Sequence, residues 1–222
     1  LTELCARYGV DTVLAAFDEC IAQTAARARD LFLQMVPEGR WSFHDFLDSD
    51  GGPGARPYRV ELSLARRGDH VVLDGSRSDD QARGPINYMT NPGLLRIALG
   101  RYLQSIDPDL DVNEGLLQNL DEWITRQGTV IQPRFPAPVG MRANTMFRVL
   151  SCVFGNLAQA NGGRVPAASP VYVLYYFRAW DEAERRQILC TEGPGVGLGA
   201  RPFADGVDVI YYIGQENYPV EY

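Results

Sequence analysis

The stretch from Tyr58 to Asp74 reads YRVELSLARRGDHVVLD, and its periodicity decides the fold class. Tyr58, Val60, Leu62 and Leu64 alternate with Arg59, Glu61 and Ser63, the period-two pattern of a half-buried strand. His70 to Asp74 repeats that character after Arg67-Gly68-Asp69, which between two alternating runs reads as a tight hairpin turn and not as an adhesion tripeptide. A hairpin returns the chain antiparallel to itself. It cannot be the first half of a parallel crossover, which needs a helix between its strands.

Upstream, Trp41 to Leu47 adds a strand after a turn at Pro37-Glu38-Gly39. The first 36 residues read as helix with a break at Gly9 and an N-cap at Asp11, and Val13, Phe17, Cys20, Ile21, Thr24, Ala28, Leu31, Phe32 and Met35 fall three and four apart. Downstream come a helix over Leu94 to Ile106 and short strands over Glu122 to Arg126 and Thr129 to Gln132. A second long helix runs from Thr145 to Gln159, ended by Asn161-Gly162-Gly163. The tail is strand-like: Val171 to Trp180, a turn at Asp181 to Arg185, Gln187 to Glu192, then Val207 to Ile213. The expected class is therefore α+β: a mixed, mainly antiparallel, hairpin-rich sheet with two long helices. The expected division is a helical segment 1–36 and a mixed α+β region 40–222 within one internal fragment of a longer subunit.

Composition narrows the function classes. The 222 residues are 45% hydrophobic and 22% charged, ordinary for a soluble globular chain. A net charge of -7 argues against nucleic acid and against an anionic membrane surface. No apolar run approaches the roughly 20 residues of a membrane span, so a cytoplasmic location is expected. Every basic residue is arginine, which removes Schiff-base, lysine-base and Walker-lysine chemistry. Cys5, Cys20, Cys152 and Cys190 have no CxxC spacing and sit in apolar stretches, so they read as buried thiols.

The strip Gly193 to Pro202, GPGVGLGARP, places glycine at every second position. In extended backbone all four would share one face, bare of side chains and ending in Arg201. Gly195, Gly197 and Ala200 match a dinucleotide fingerprint, yet Arg201-Pro202-Phe203 and Gly206 cannot open the helix that would take a pyrophosphate. Asp109, Asp111 and Asn113 open like a calcium loop, but Glu114 stands where that loop needs glycine and Leu120 where it needs a bidentate acid. Asp45, Asp48 and Asp50 around Gly51 could hold a hard cation; a solvated acidic loop over Asp48 to Pro57 is the plainer reading. His44 and His70 lie on strands with no carboxylate at metal-ligand spacing apart from Asp45, so they read as structural histidines and no metal site is assigned. No GxSxG elbow appears.

Polar residues in glycine-rich or helix-start backbone are the substrate-binding candidates: Arg201, Asp205, Arg142, Asn144 and Asn87. Arg142 and Arg148 flank a helix start, where free N–H groups favour an anion, although capping and a structural ion pair explain them equally well. No catalytic residue is assigned.

Several segments in one order resemble the hydantoinase B family, which includes 5-oxoprolinase-type enzymes and the α subunits of acetone and acetophenone carboxylases: Phe43 to Gly51 (FHDFLDSDG), Arg83 to Asn87 (RGPIN), Asn113 to Leu116 (NEGL), Val165 to Ser169 (VPAAS) and Gly197 to Asp208 (GLGARPFADGVD). Phe135 to Arg142 (FPAPVGMR) and Gly214 to Tyr222 (GQENYPVEY) look closest to the ketone carboxylase branch. The resemblance implies a fragment of an ATP-dependent ketone carboxylase subunit, inactive alone. Ring-opening hydrolysis of hydantoins, lactams or 5-oxoproline is one alternative, and a non-catalytic scaffold and interface segment is the other. It further implies a hydantoinase A-type ATPase partner in a hetero-oligomer. ATP and a divalent metal would be bound elsewhere, with no cofactor on this segment.

Overall fold

The structure, a computed structural model, describes residues 1–54, 56–167, 175–192, 197, 199–206 and 208. The chain forms two compact units, Leu1–Gly162 and Gly163–Tyr222.

In the first unit, α1 (Thr2–Tyr8) and α2 (Val10–Met35) meet at Gly9, whose φ of 83° suits glycine and breaks the helix. The N-cap of α2 is Gly9, not Asp11, which falls inside the first turn and there favours the positive end of the helix dipole. Three antiparallel strands follow in register: β1 (Gly39–Leu47), β2 (Tyr58–Arg67) and β3 (His70–Asp74). The β2–β3 turn closes with Arg67 opposite His70 and Gly68 at φ 62°. After α3 (Pro92–Ile106) and a 3₁₀ turn (Glu114–Leu117), β4 (Glu122–Ile124) joins β3 in parallel. The sheet order is β1-β2-β3-β4, an antiparallel meander with one parallel edge, and the α+β class stands. The expected run Thr129 to Gln132 forms isolated bridges instead of a strand.

The helix α4 (Arg142–Ala160) lies across β1 and β2 and begins three residues earlier than its apolar pattern suggests. Its inward residues Val149, Cys152, Val153 and Leu157 meet Val60, Leu62 and Leu64 of β2, all at most 1% exposed. Leu95, Leu99 and Leu103 of α3 and Phe32 and Val36 around the end of α2 complete the core. A fully buried Phe replaced by Ala costs about 3–5 kcal/mol. Phe32→Ala is accordingly expected to lower the thermal midpoint by roughly 6–20 °C at about 2–4 °C per kcal/mol, and a calorimetric shift under about 3 °C would contradict this core assignment.

Two expectations are corrected here. Glu61 and Ser63, predicted to face solvent, are 4% and 3% exposed. The second face of β2 is covered by Ser42, Ser78 and the guanidinium groups of Arg59 and Arg77, both 3.2 Å from Glu61. Cys152 is buried, with burial pushing its thiol far up, but Cys20 is exposed and Cys5 half-buried, because α1 and the front of α2 extend beyond the core.

In the second unit, β5 (Tyr175–Asp181) and β6 (Arg186–Glu192) form a hairpin. Asp181 accepts the Ala183 and Glu184 N–H groups at its turn, and Arg185 takes φ 49°. The Ala167 N–H donates to the Ala200 carbonyl at 2.8 Å. Most of the glycine strip, and the expected strand Val207 to Ile213, lie outside the described residues.

Candidate functional site

Segments far apart in the chain converge on the start of α4. The loop after β1 turns back at Asp50, which is 7% exposed. One Asp50 carboxylate oxygen accepts the Gly84 N–H at 2.8 Å and the Tyr58 hydroxyl at 3.1 Å, and the other accepts the Gly52 N–H at 3.1 Å. The segment expected to be a solvated acidic loop is thus anchored by its own carboxylate. Asp45 is also committed, to Arg148 of α4 at 2.9 Å. Neither carboxylate is left open for a cation.

From Gly84 the network continues through Asn87, which is fully buried. Its amide oxygen accepts the Ala82 N–H, and its amide nitrogen donates to the carbonyls of Ala82, Gly84 and Pro138. The Met141 N–H donates to the Pro85 carbonyl at 2.9 Å, and the Thr145 hydroxyl donates to the Ile86 carbonyl. Asn87 therefore welds the loop 82–87 to the segment 135–142 and aims that segment into α4. Arg142 and Asn144 stand exposed at the resulting helix start. Arg142 has only a 3.5 Å bond to the Val139 carbonyl, and Met141 caps α4 without a side-chain hydrogen bond. Tyr88 lies nearby: burial raises its phenol, and a backbone hydrogen bond at Asn91 and then the Arg142 charge pull it partly back. The Met141, Arg142 and Asn144 N–H groups are taken up by the carbonyls of Pro85, Val139 and Met141, so what this helix start presents is the weakly held Arg142 guanidinium and the exposed Asn144 amide, donors that suit a carboxylate, a phosphoryl group or a developing oxyanion.

Arg201 and Asp205 belong to the second unit. Arg201 forms a tight turn with Ala204, donates to the Asp205 carbonyl at 3.1 Å and lies over the Phe203 ring at 5.6 Å. The helix a dinucleotide would need does not follow the strip among the described residues. A Cβ on Gly199 would lie 1.8 Å from the Ala167 carbonyl oxygen, so at this position glycine serves a close backbone approach.

The NEGL segment has a packing role. Asn113 accepts the Gly115 N–H at 2.8 Å and donates to Thr24 at 2.8 Å, and a Cβ on Gly115 would lie 2.2 Å from the Ile21 carbonyl oxygen. Sequence reasoning left Asp50 and Tyr58 out of the site; their signal was an acid at the edge of a glycine-rich turn followed by an aromatic strand start. His44 is exposed on β1 with its ring edge-on to Phe46, and His70 lies 3.9 Å from Asp121 and 3.8 Å from Glu122. Among the described residues no three His, Cys, Asp or Glu side chains come close enough to hold a metal ion. Among those residues no helix is long and apolar enough to cross a membrane.

The Gly84 and Gly52 N–H groups, with Tyr58, hold the Asp50 carboxyl below its ordinary range against the opposing effect of burial. A depressed folded value means the loop's stabilisation is complete above the unfolded carboxylate value of about 3.9 and is lost as pH falls through the lower folded value. Asp50→Asn should therefore depress the thermal midpoint clearly at about pH 7, and the gap to the native protein should close as the pH falls from about 3.9 through the lower folded value. A gap independent of pH would contradict the role of the charge.

Comparison with known proteins gives these segments a common context. The chain is 27% identical to a putative D-/L-hydantoinase component, the B-type subunit, of Pseudomonas sp. (strain NS671), over 99% of this chain and 38% of that protein. It is 24% identical to the acetophenone carboxylase delta subunit of Aromatoleum aromaticum, over 94% of this chain and 31% of that protein. The carboxylase subunit matched is delta, where the resemblance named alpha. The fold superposes on an ATP-dependent caprolactamase from Pseudomonas jessenii with a TM-score of 0.69 at 26% identity, covering 94% of this chain and 36% of that one. It superposes on the nucleotide-free structure of an acetone carboxylase, an enzyme of ATP-dependent acetone carboxylation, with a TM-score of 0.70 at 14% identity, covering 96% and 30%. The chain thus spans about a third of the length of these relatives. Its residues 1–222 match the sequence profile of the Hydantoinase B/oxoprolinase family throughout, and the chain belongs to that family.

Proposed function

We propose that this chain forms part of the catalytic subunit of an ATP-dependent enzyme acting on a carbonyl compound, with ring opening of a cyclic amide as its reaction. The observation that carries the reading is the convergence of the segments 43–51, 83–87 and 135–142 on one hydrogen-bonded cluster that presents Arg142 and Asn144 at the start of α4. When a lactam or hydantoin ring opens, negative charge gathers on the carbonyl oxygen. A guanidinium and an amide at the positive end of a helix are donors suited to that charge. Arg201 and Asp205 are the second pair of substrate-contact candidates.

Ketone carboxylation is the second reading. It shares the ATP dependence of both solved relatives, and its enolate-like intermediate would use the same donors. The relatives named for amide substrates are the more similar, at 27% and 26% identity against 24% and 14%. In either reading ATP would be hydrolysed by a second, hydantoinase A-type subunit.

The test uses the full-length subunit together with a hydantoinase A-type ATPase subunit. Hydantoin, caprolactam and 5-oxoproline with ATP are expected to turn over, whereas acetone or acetophenone with bicarbonate and ATP should not; the reverse outcome would establish the carboxylase reading. Arg142→Ala should lower kcat/KM by roughly 10- to 100-fold, the worth of one charge-assisted hydrogen bond. Its melting temperature should not move, because the Arg142 side chain makes little contact in the fold. Native turnover in both Arg142→Ala and Arg201→Ala would leave this region the role of a scaffold.

A further inference from the structure

The segment 85–88 runs along the first turn of α4. The Pro85 carbonyl accepts the Met141 N–H, the Ile86 carbonyl accepts the Thr145 hydroxyl, and a Cβ on Gly140 would lie 3.7 Å from the Pro85 Cβ. Tyr88 follows two residues after Ile86, its own N–H bonded to the Val130 carbonyl at 2.9 Å, and Thr90 repeats that tie to Ile131 at 3.0 Å. Three residues beyond Tyr88, Asn91 caps α3 by accepting the Gly93 N–H at 2.8 Å. The Tyr88 side chain therefore stands between the starts of two helices. Its phenol oxygen accepts a hydrogen bond from the Asn91 backbone and feels the Arg142 charge.

Tyr88 is half-buried, and burial outweighs both of those influences, so the phenol keeps its proton at neutral pH. The hydroxyl hydrogen has no acceptor among the described residues. A phenol in this state is a loaded proton donor. Its anion, once formed, would be stabilised by the Asn91 N–H, the Arg142 guanidinium and the positive ends of α3 and α4.

We propose that Tyr88 is the proton donor to the leaving nitrogen when the cyclic amide opens, an inference that rests on the ring-opening reading of this site. Arg142 and Asn144 serve the carbonyl oxygen, and the nitrogen needs a donor of its own. Water adds to the carbonyl carbon, the C–N bond breaks with its electron pair passing to nitrogen, and nitrogen takes the Tyr88 hydroxyl proton. The phenolate regains a proton from solvent, to which the adding water has released one. This demand is the same however ATP activates the carbonyl, because the nitrogen always departs with the electron pair. Its size depends on the substrate. In caprolactam the nitrogen leaves as a strongly basic alkylamine and must be protonated as it goes, whereas in hydantoin a second carbonyl beside the nitrogen takes up the charge.

In the full-length subunit with a hydantoinase A-type ATPase subunit, Tyr88→Phe is expected to lower kcat on caprolactam by roughly 100- to 10,000-fold, the worth of a positioned general acid, and on hydantoin by less than about 10-fold, with KM near native for both. The ring stays in place, so circular dichroism and melting temperature should remain native. Arg142→Ala acts on the oxygen and should slow both substrates by a similar factor. Suppose Arg142→Ala is impaired while Tyr88→Phe keeps native kcat on caprolactam, or loses equally on the two substrates. Either result would overturn the role of Tyr88 and leave the oxyanion site standing. Native turnover in Tyr88→Phe and Arg142→Ala alike would overturn both readings. Turnover of ketones with bicarbonate in place of cyclic amides would do the same, since carboxylation breaks no C–N bond.

Discussion

Replacing Asn156 with alanine is expected to cost about 3–5 kcal/mol, the sum of two orphaned buried backbone groups at about 1–3 kcal/mol each and a small cavity. Asn156 lies on the inward face of α4 and is fully buried. Its amide oxygen accepts the Leu64 N–H at 3.3 Å, and its amide nitrogen donates to the Leu62 carbonyl at 2.9 Å and to the Cys152 carbonyl at 2.7 Å. One side chain thereby ties the helix to the backbone of the central strand. At about 2–4 °C per kcal/mol, the midpoint should fall by roughly 6–20 °C. Asn156→Asp keeps the shape but sets carboxylate oxygen against two carbonyls, so it should be at least as damaging. Gln159→Ala, on the exposed side of the same helix, removes one bond to the Ser42 carbonyl and should stay within about 0.5 kcal/mol of native. Asn156→Ala melting as high as Gln159→Ala would refute the amide bridge.

Asn156 also marks where the sequence ceases to be readable. The 58–74 hairpin and the helices α2, α3 and α4 were legible because each follows from a local period and a local stop: alternation around Gly68, three-four spacing ending at Ile106, a double glycine after Ala160. A polar residue inside an apolar helical stripe carries no sign of what it will bond. The parallel pairing of β4 with β3 was not legible either, because nothing in Glu122-Trp123-Ile124 announces a partner on the far side of α3. The burial of Glu61 and Ser63 on β2 depends on Arg59 and Arg77 folding over them, and side chains that cover a face leave no periodic trace.

The candidate site divides along the same line. Arg142, Asn144 and Asn87 could be singled out locally, as polar residues beside a helix start or a Gly-Pro turn. Their different positions could not. Asn87 is enclosed by backbone and acts through the shape of its loop, whereas Arg142 and Asn144 are presented to solvent. Asp50 was read as solvated because acidic glycine-rich loops usually are; its anchoring depends on Gly84, more than thirty residues away.

Gly84→Ala should accordingly be the substitution that reaches stability and activity together. A Cβ at this position would lie 2.1 Å from the Asp50 carbonyl oxygen and 2.8 Å from the Asp50 Cβ, closer than van der Waals contact allows. The obstructing atom is backbone and cannot rotate away. The loop 82–87 must retreat from the turn at Asp50, at an overpacking cost of about 1–3 kcal/mol. That retreat also breaks the Gly84 N–H bond, the largest influence holding the Asp50 carboxyl down. The variant should therefore lose much of the pH-dependent stability assigned to Asp50. Gly84→Ala and Asp50→Asn combined should cost less than the sum of the two, since each disables the same contact. Displacement of the loop also moves Pro85 and Asn87, whose bonds to Met141 and Pro138 set the start of α4, so a misplaced Arg142 should reduce turnover by a factor on the order of 100. Additive stability losses with native turnover would show that the Asp50 turn and the start of α4 are mechanically separate, and would remove the connection on which the site reading depends.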